Sequence, residues 1–191
     1  MAPERPGDRS GFRLTGEQEL QRGWVISMVR ASYVDPEGTP FDRDIVRHPG
    51  AVAVVAVTDA GGVLLVRQYR PAVEDWLYEI PAGTCDVAGE PLETTARREL
   101  AEEIRHSAEA WTLLTQTFNT PGFCDEVTTI YLATGLTEVG ENRQGIEERY
   151  MTVEEIPLQR FDALVDDGTI RDAATILGVG LARRRLATGT R

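Results

Sequence analysis

The chain has 191 residues, 41% hydrophobic and 27% charged, which fits one domain with a proper core. Its formal net charge of −11 argues against a general nucleic-acid binder, and if the substrate is an anion, cations must lie between the two. No stretch approaches the ~18 apolar residues of a membrane span, and residues 1–10 lack the apolar centre of a signal peptide, so the expected compartment is the cytoplasm. All 20 basic side chains are Arg, so phosphate contacts must come from Arg or backbone, and a P-loop lysine or a Schiff base is excluded. Cys85 and Cys124 have no CxxC spacing, which argues against structural zinc; two free thiols are expected in a reducing compartment.

Residues 1–20 are polar and rich in Pro, Gly and charge, and read as a loose tail. Gly23 to Val34 is strand-like, Gly38 marks a turn, and Pro40 to Arg47 is a second extended segment, together a small N-terminal sheet. The apolar runs Ala51–Val57 and Val63–Tyr69, split by Asp59-Ala60-Gly61-Gly62, predict buried strands. Trp76 to Pro81 is a short extended piece, and Gly83 to Glu90 a loop. Leu92, Ala96, Leu100 and Ile104 then recur every four residues, one face of a helix starting near Pro91. Strands are predicted at Trp111–Phe118, Val127–Ala133 and Arg149–Val153, with a loop over the acidic, Gly-bearing stretch Glu138–Glu148. Leu158–Val165 and Arg171–Leu186 read as closing helices. The pattern is mixed α/β, a sheet core with few helices. The predicted division is a flexible tail over 1–20, an N-terminal sheet over 21–48 and a main domain over 49–187.

The chemistry-bearing run is Arg98-Glu99-Leu100-Ala101-Glu102-Glu103, preceded by Glu90 and by Pro81-Ala82-Gly83. At ~100° per residue, Glu99 and Glu103 lie ~40° apart on the helix, with Glu102 ~60° to the other side. Like charges at i,i+4 repel, and hard divalent cations with oxygen ligands would offset that cost. The plain alternative is a solvated acidic face, but it accounts for neither the glycine loop ahead of the helix nor the spacing to Glu90.

Gly83, Glu90 and Arg98-Glu99-Leu100-x-Glu102-Glu103 resemble the Nudix box, the loop–helix–loop signature of a hydrolase superfamily. Val66-Arg67-Gln68-Tyr69-Arg70, Glu79-Ile80-Pro81-Ala82-Gly83, Pro121-Gly122-Phe123 with Asp125-Glu126, and Phe41 to Val46 before His48-Pro49-Gly50 are more narrowly similar to bacterial, actinobacterial-type ADP-ribose pyrophosphatases. The resemblance covers roughly residues 22–185. It implies a Nudix fold: a mixed sheet sandwiched between helices, with a small N-terminal antiparallel sheet. Six residues, not the usual five, separate Gly83 from Glu90, as is common in that subgroup. Arg105 stands where the box has a glycine two residues past its last Glu, a helix C-cap position, so an altered helix end is expected with no ligand removed.

By the same resemblance, Glu99 and Glu103 are the main metal ligands, Glu102 lies nearby with a catalytic or ligating part, and the Ala82 carbonyl completes the site. Glu90 and Arg98 form a structural ion pair. Mg²⁺, with Mn²⁺ an alternative, would neutralise the diphosphate and help generate hydroxide for in-line attack at phosphorus. A loop glutamate, Glu147 or else Glu148, is the candidate base. Arg67 and Arg70 are candidates for the diphosphate or terminal ribose, or surface ion-pair partners. Arg43 and Asp44 match a segment that reads adenine where the N-terminal sheet reaches into the partner subunit's site, which implies a homodimer. Trp24 or Trp76 could stack on the base, or belong to the core. The expected reaction converts ADP-ribose, or a related nucleoside diphosphate sugar, to AMP and a sugar phosphate. Two alternatives stay open: a Nudix fold that senses a nucleotide sugar without cleaving it, and an enzyme for another nucleoside diphosphate-X compound. Intact carboxylates and no room for a basic helix-turn-helix weigh against the sensor.

Overall fold

The computed structural model of the chain describes residues 11–140 and 150–189. The run Ala51–Val57 becomes strand β4, and its alternation explains why the run is unbroken. Val52, Val54 and Ala56 join a cluster with Ala96, Leu100 and Ile104, whereas Ala53, Val55 and Val57 join another with Phe161, Ile170, Val179 and Ala182. A central strand covered on both faces needs apolar residues at every position, not every second one.

Around β4 lie β5 (Gly62–Arg70), β6 (Asp75–Glu79), β7 (Ala82–Thr84), β8 (His106–Phe118), β9 (Val127–Glu138) and β10 (Thr152–Pro157). The main path runs β10-β5-β4-β9-β8, with β6 paired to β5 and β7 to β4. Only the β4–β9 pairing among them is parallel, so the sheet is mixed. Helix α1 (Leu92–Ile104) covers one face; α2 (Phe161–Asp166) and α3 (Ala173–Thr188) cover the other. Gly178 lets α3 approach closely: a Cβ there would press on Val55, Ile80 and Ile130 at 3.0 to 3.2 Å. This is the expected α/β architecture, a mixed sheet between helices. Among the described residues no helix is long and apolar enough to cross a membrane.

The small antiparallel sheet is present with three strands, β1 (Arg13–Arg22), β2 (Ser27–Val34) and β3 (Pro40–Arg47). This corrects the expected tail for residues 11–20: residues 1–10 lie outside the described ones, but β1 is a strand paired with β2 along its length, with register shifts at Leu14/Gly16 and Glu19/Gln21. Nearly every β1 residue is exposed, so its order comes from backbone bonds to β2, which hydropathy does not report. The strand placed at Arg149–Val153 starts at Thr152 and runs to Pro157, and the second closing helix starts at Ala173, where Asp172 caps it by accepting from Thr175 N–H.

Helix α1 does not show the altered end expected from the missing glycine: it closes in the conformation that a glycine would take. Arg105 is the C-cap with φ 57° and ψ 40°, left-handed backbone that suits glycine, and its N–H donates to the Leu100 carbonyl. Arg105→Gly is therefore expected to stabilise the fold by about 1 kcal/mol, a rise in Tm of roughly 2–4 °C by calorimetry. An unchanged or lower Tm would show that the arginine side chain outweighs its backbone cost.

Candidate active site

The segment Ile80–Gly83 meets α1 at the centre of the site. Flanking bonds to β4, Val54 N–H to the Pro81 carbonyl (2.8 Å) and Cys85 N–H to the Gly50 carbonyl (3.0 Å), set the pairing register. In that register the N–H and C=O of Ala82 point away from β4. The Ala82 N–H accordingly donates to Glu103 Oε2 at 3.0 Å, and the Ala82 carbonyl opens to the same side. Glu99 packs directly over Gly83, where an added Cβ would overlap the carboxylate. Glycine here is a matter of space, not of dihedral angle. Gly83→Ala should swing the flexible Glu99 carboxylate aside and cost roughly 10–100-fold in metal-dependent activity, with Tm hardly altered. A variant as active as the parent would mean that Glu99 does not need this position.

Glu99 and Glu103 are only 9% and 7% exposed, and Glu102 lies at the rim. The expected arc of three carboxylates is thus present, with two of the three turned inward. Arg98 sits among them: Nη1 is 2.8 Å from Glu99 Oε1 and 3.0 Å from Glu102 Oε2, while Nη2 is 3.9 Å from both Glu90 Oε2 and Asp86 Oδ1. The expected Glu90–Arg98 pair is therefore the long contact and the helix carboxylates are the short ones. Glu90 is instead held by the Thr95 hydroxyl, which donates to Oε2 at 2.7 Å. Arg98 Nε is buried with no hydrogen-bond partner among the described residues, so the guanidinium is held without a complete fork of bonds.

Burial pushes the Glu99 carboxyl up from its ordinary value, opposed by the Arg98 charge and reinforced by Glu102. A carboxyl raised on folding favours the folded state below its unfolded pKa, and that advantage is lost as pH rises through the folded value. Above its folded pKa the ionised Glu99 therefore costs stability when no cation is bound. Glu99→Gln should raise Tm in EDTA, by about 0.5–2 kcal/mol of stability, while activity with Mg²⁺ falls. A lower Tm in EDTA would show that the Arg98 pairing outweighs the burial cost.

Glu99, Glu103 and the Ala82 carbonyl are hard oxygen donors on one groove and fit a divalent cation with oxygen preference. Among the described residues no three acidic, His or Cys side chains are preassembled around one point. Arg98, in their midst, would give way to a cation.

Arg70 belongs to this face. It forms a fork on Glu79, Nε to Oε1 at 2.8 Å and Nη2 to Oε2 at 2.5 Å, and Gln68 Nε2 adds a 3.3 Å bond to the same carboxylate. Its pKa is raised first by Glu79, with Glu103 and Asp172 contributing at longer range. Arg67 does not belong here. Three positions from Arg70 on one strand, it faces the other side, stacked over Trp76 (5.0 Å) and near Tyr78 (6.0 Å). Of these two candidates for the diphosphate or terminal ribose, Arg70 therefore lies on the face of the groove and Arg67 on the opposite one. Glu79, buried and forked to Arg70, is a site residue that the sequence shows only as part of a motif; its pairing opposite Val66 across the β5–β6 hairpin is the signal that puts it on the face of Arg70.

Beside the groove, between the N-terminal sheet and residues 85–92 and 116–129, lies a cavity of about 1000 Å³, its walls including Phe12, Tyr33, Phe41, Arg43, Phe118 and Phe123. Arg43 lies over the Phe41 ring (4.9 Å), but Asp44 is paired with Arg30 across β2–β3 at 2.9 Å. Trp24 is fully exposed, and Trp76 is partly buried beside Arg67. Glu147 and Glu148 lie outside the described residues.

A mixed sheet between helices, with an acidic helix seated on a Pro-Ala-Gly segment, places the chain in a known class. Residues 47–173 match the NUDIX domain, and the chain belongs to the Nudix family. It is 40% identical to the ADP-ribose pyrophosphatase of Mycobacterium tuberculosis over 93% of this chain and 86% of that one. It is 37% identical to the ADP-ribose pyrophosphatase of Bacillus subtilis, over 85% and 88% respectively. A crystal structure of an ADP compounds hydrolase superposes with a TM-score of 0.80, at 21% identity, over 94% of this chain and 96% of that one, which shows the shared fold.

Proposed function

We propose that the protein hydrolyses the diphosphate bond of ADP-ribose, giving AMP and ribose 5-phosphate, or that of a related nucleoside diphosphate sugar. The observation that carries this reading is the groove itself: Glu99, Glu103 and the Ala82 carbonyl as oxygen donors, Arg70 on the same face, and alongside it a cavity with room for a nucleoside. The likeness to two ADP-ribose pyrophosphatases over most of the chain supports the substrate class. Water adds to phosphorus, the bond from that phosphorus to the bridging oxygen breaks, and the departing phosphate carries the negative charge. Mg²⁺, with Mn²⁺ as substitute, supplies charge neutralisation and activation of the water when bound. Glu99 and Glu103 would hold the cation, with Glu102 beside them, and Arg70 would receive diphosphate oxygens. Glu90 and Arg98 tie the loop to the helix. Glu147, or Glu148, takes the proton from water. Arg43 serves the base in the aromatic cavity, and Asp44 orders the strand that carries Arg43 through its pair with Arg30.

The proposal extends to a cytoplasmic homodimer whose N-terminal sheet also reaches the partner's site. Exposed Leu14, Trp24, Val25, Ile26 and Met28 on and around that sheet support it. Nucleic acid is no partner on this reading, because the net charge is −11.

The test is kcat/KM with Mg²⁺ over ADP-ribose, ADP-glucose, GDP-mannose and diadenosine polyphosphates. ADP-ribose is expected to lead. Preference for another of these would keep the bond cleaved and reject the substrate, and tight binding without turnover on any would reject hydrolysis.

A further inference from the structure

The residues from Glu79 to Gly83 are held by four different elements, β5, α3, β4 and α1. Glu79 is forked by Arg70, the Pro81 carbonyl accepts from Val54, the Ala82 N–H donates to Glu103, and Gly83 lies under Glu99. Ile80 is the remaining one. It falls between β6 and β7, outside both ladders, and is almost wholly buried, so its N–H needs a partner from elsewhere. That partner is Thr175 of α3, on the opposite side of the sheet from the carboxylates. Its hydroxyl oxygen accepts from Ile80 N–H at 2.9 Å.

The hydroxyl is itself oriented. Thr175 is fully buried, and its only proton is committed to Asp172 Oδ2 at 2.7 Å, the same oxygen that accepts from Thr175 N–H at 2.7 Å. With the proton so engaged, a lone pair is left facing Ile80. As a helix cap, Asp172 needs only an acceptor for the amide. Thr175 as a helix residue needs no hydroxyl at all, and a buried hydroxyl is retained only where it is bonded.

We propose that Asp172 and Thr175 are positioning residues, which fix the Ile80–Gly83 backbone and thereby aim the Ala82 carbonyl and the Glu103 carboxylate at the cation. This rests on the reading of the groove as a metal-dependent hydrolase site. The coupling runs through one hydrogen bond: Thr175 sets Ile80, and two residues on, the Ala82 N–H sets Glu103. Losing it leaves a buried amide without a partner, and the segment relaxes where oxygen geometry matters most.

The experiment is a Mn²⁺ titration of the full-length, substrate-free protein followed by electron paramagnetic resonance, with Mg²⁺-dependent kinetics beside it. Thr175→Val, close in shape but without the hydroxyl, is expected to bind Mn²⁺ roughly 10–100-fold more weakly, the range usual for groups that support ligands. Thr175→Ser, which keeps the bond, should stay within about threefold of the parent. Asp172→Ala leaves the core intact and frees the hydroxyl to turn, so it should fall between the two and keeps the test available if Thr175→Val does not fold. Phe161→Leu loosens the same core cluster but removes no group of the Asp172–Thr175–Ile80 chain of bonds, and it should leave Mn²⁺ affinity unchanged. Parental affinity in Thr175→Val and Asp172→Ala would overturn the inference, as would equal weakening in Phe161→Leu, which would reduce the effect to lost stability. A parent protein that neither binds Mn²⁺ nor turns over would instead sink the hydrolase reading beneath it.

Discussion

Glu103→Gln is expected to lower kcat/KM with Mg²⁺ by about three orders of magnitude, about 4 kcal/mol of transition-state stabilisation. The substitution is close to isosteric. The Gln carbonyl oxygen can still accept from the Ala82 N–H, so the 3.0 Å bond that seats the segment on α1 survives and the fold should too. What is lost is one negative charge among the oxygens facing the cation. Excess Mn²⁺ should restore part of the rate, since a weakened site is filled by mass action. Parental turnover in this variant would remove Glu103 from the metal site.

Leu100→Ala is expected to cost about 2–5 kcal/mol, a fall in Tm of roughly 5–15 °C. Leu100 is fully buried between Glu99 and the rim carboxylate Glu102, in the cluster formed with Val52, Val54 and Val66. It clamps α1 to the face of β4 that carries the acidic groove. The variant should also need more Mg²⁺ for half activation, because α1 is free to shift relative to Ala82. A Tm change below about 2 °C would mean that α1 is held chiefly by its ends.

Helix α1 and its two inward carboxylates were legible because spacing alone decides them. The apolar stripe at Ala96, Leu100 and Ile104 fixes the buried side, and Glu99 and Glu103 follow one step round the wheel. The central strands were legible as unbroken apolar runs. Strand β1 was not, since a ladder solvated on both faces leaves no hydropathy signal. Alternation along β5 could have separated Arg67 from Arg70, but a motif read as a block conceals that neighbours in a strand face opposite ways. The choice of Arg98 for Glu99 and Glu102 over Glu90 depends on side-chain reach, which spacing does not report. Asp172, Thr175 and Ile80 lie up to 95 residues apart along the chain, and only the packing of α3 brings them together.

The most direct test is incubation of the purified protein with ADP-ribose and Mg²⁺, with products resolved by chromatography and a parallel reaction in EDTA. Equal amounts of AMP and ribose 5-phosphate are expected with Mg²⁺ and none in EDTA. ADP-ribose left intact with Mg²⁺ and with Mn²⁺, or cleaved equally well in EDTA, would contradict metal-dependent hydrolysis of ADP-ribose.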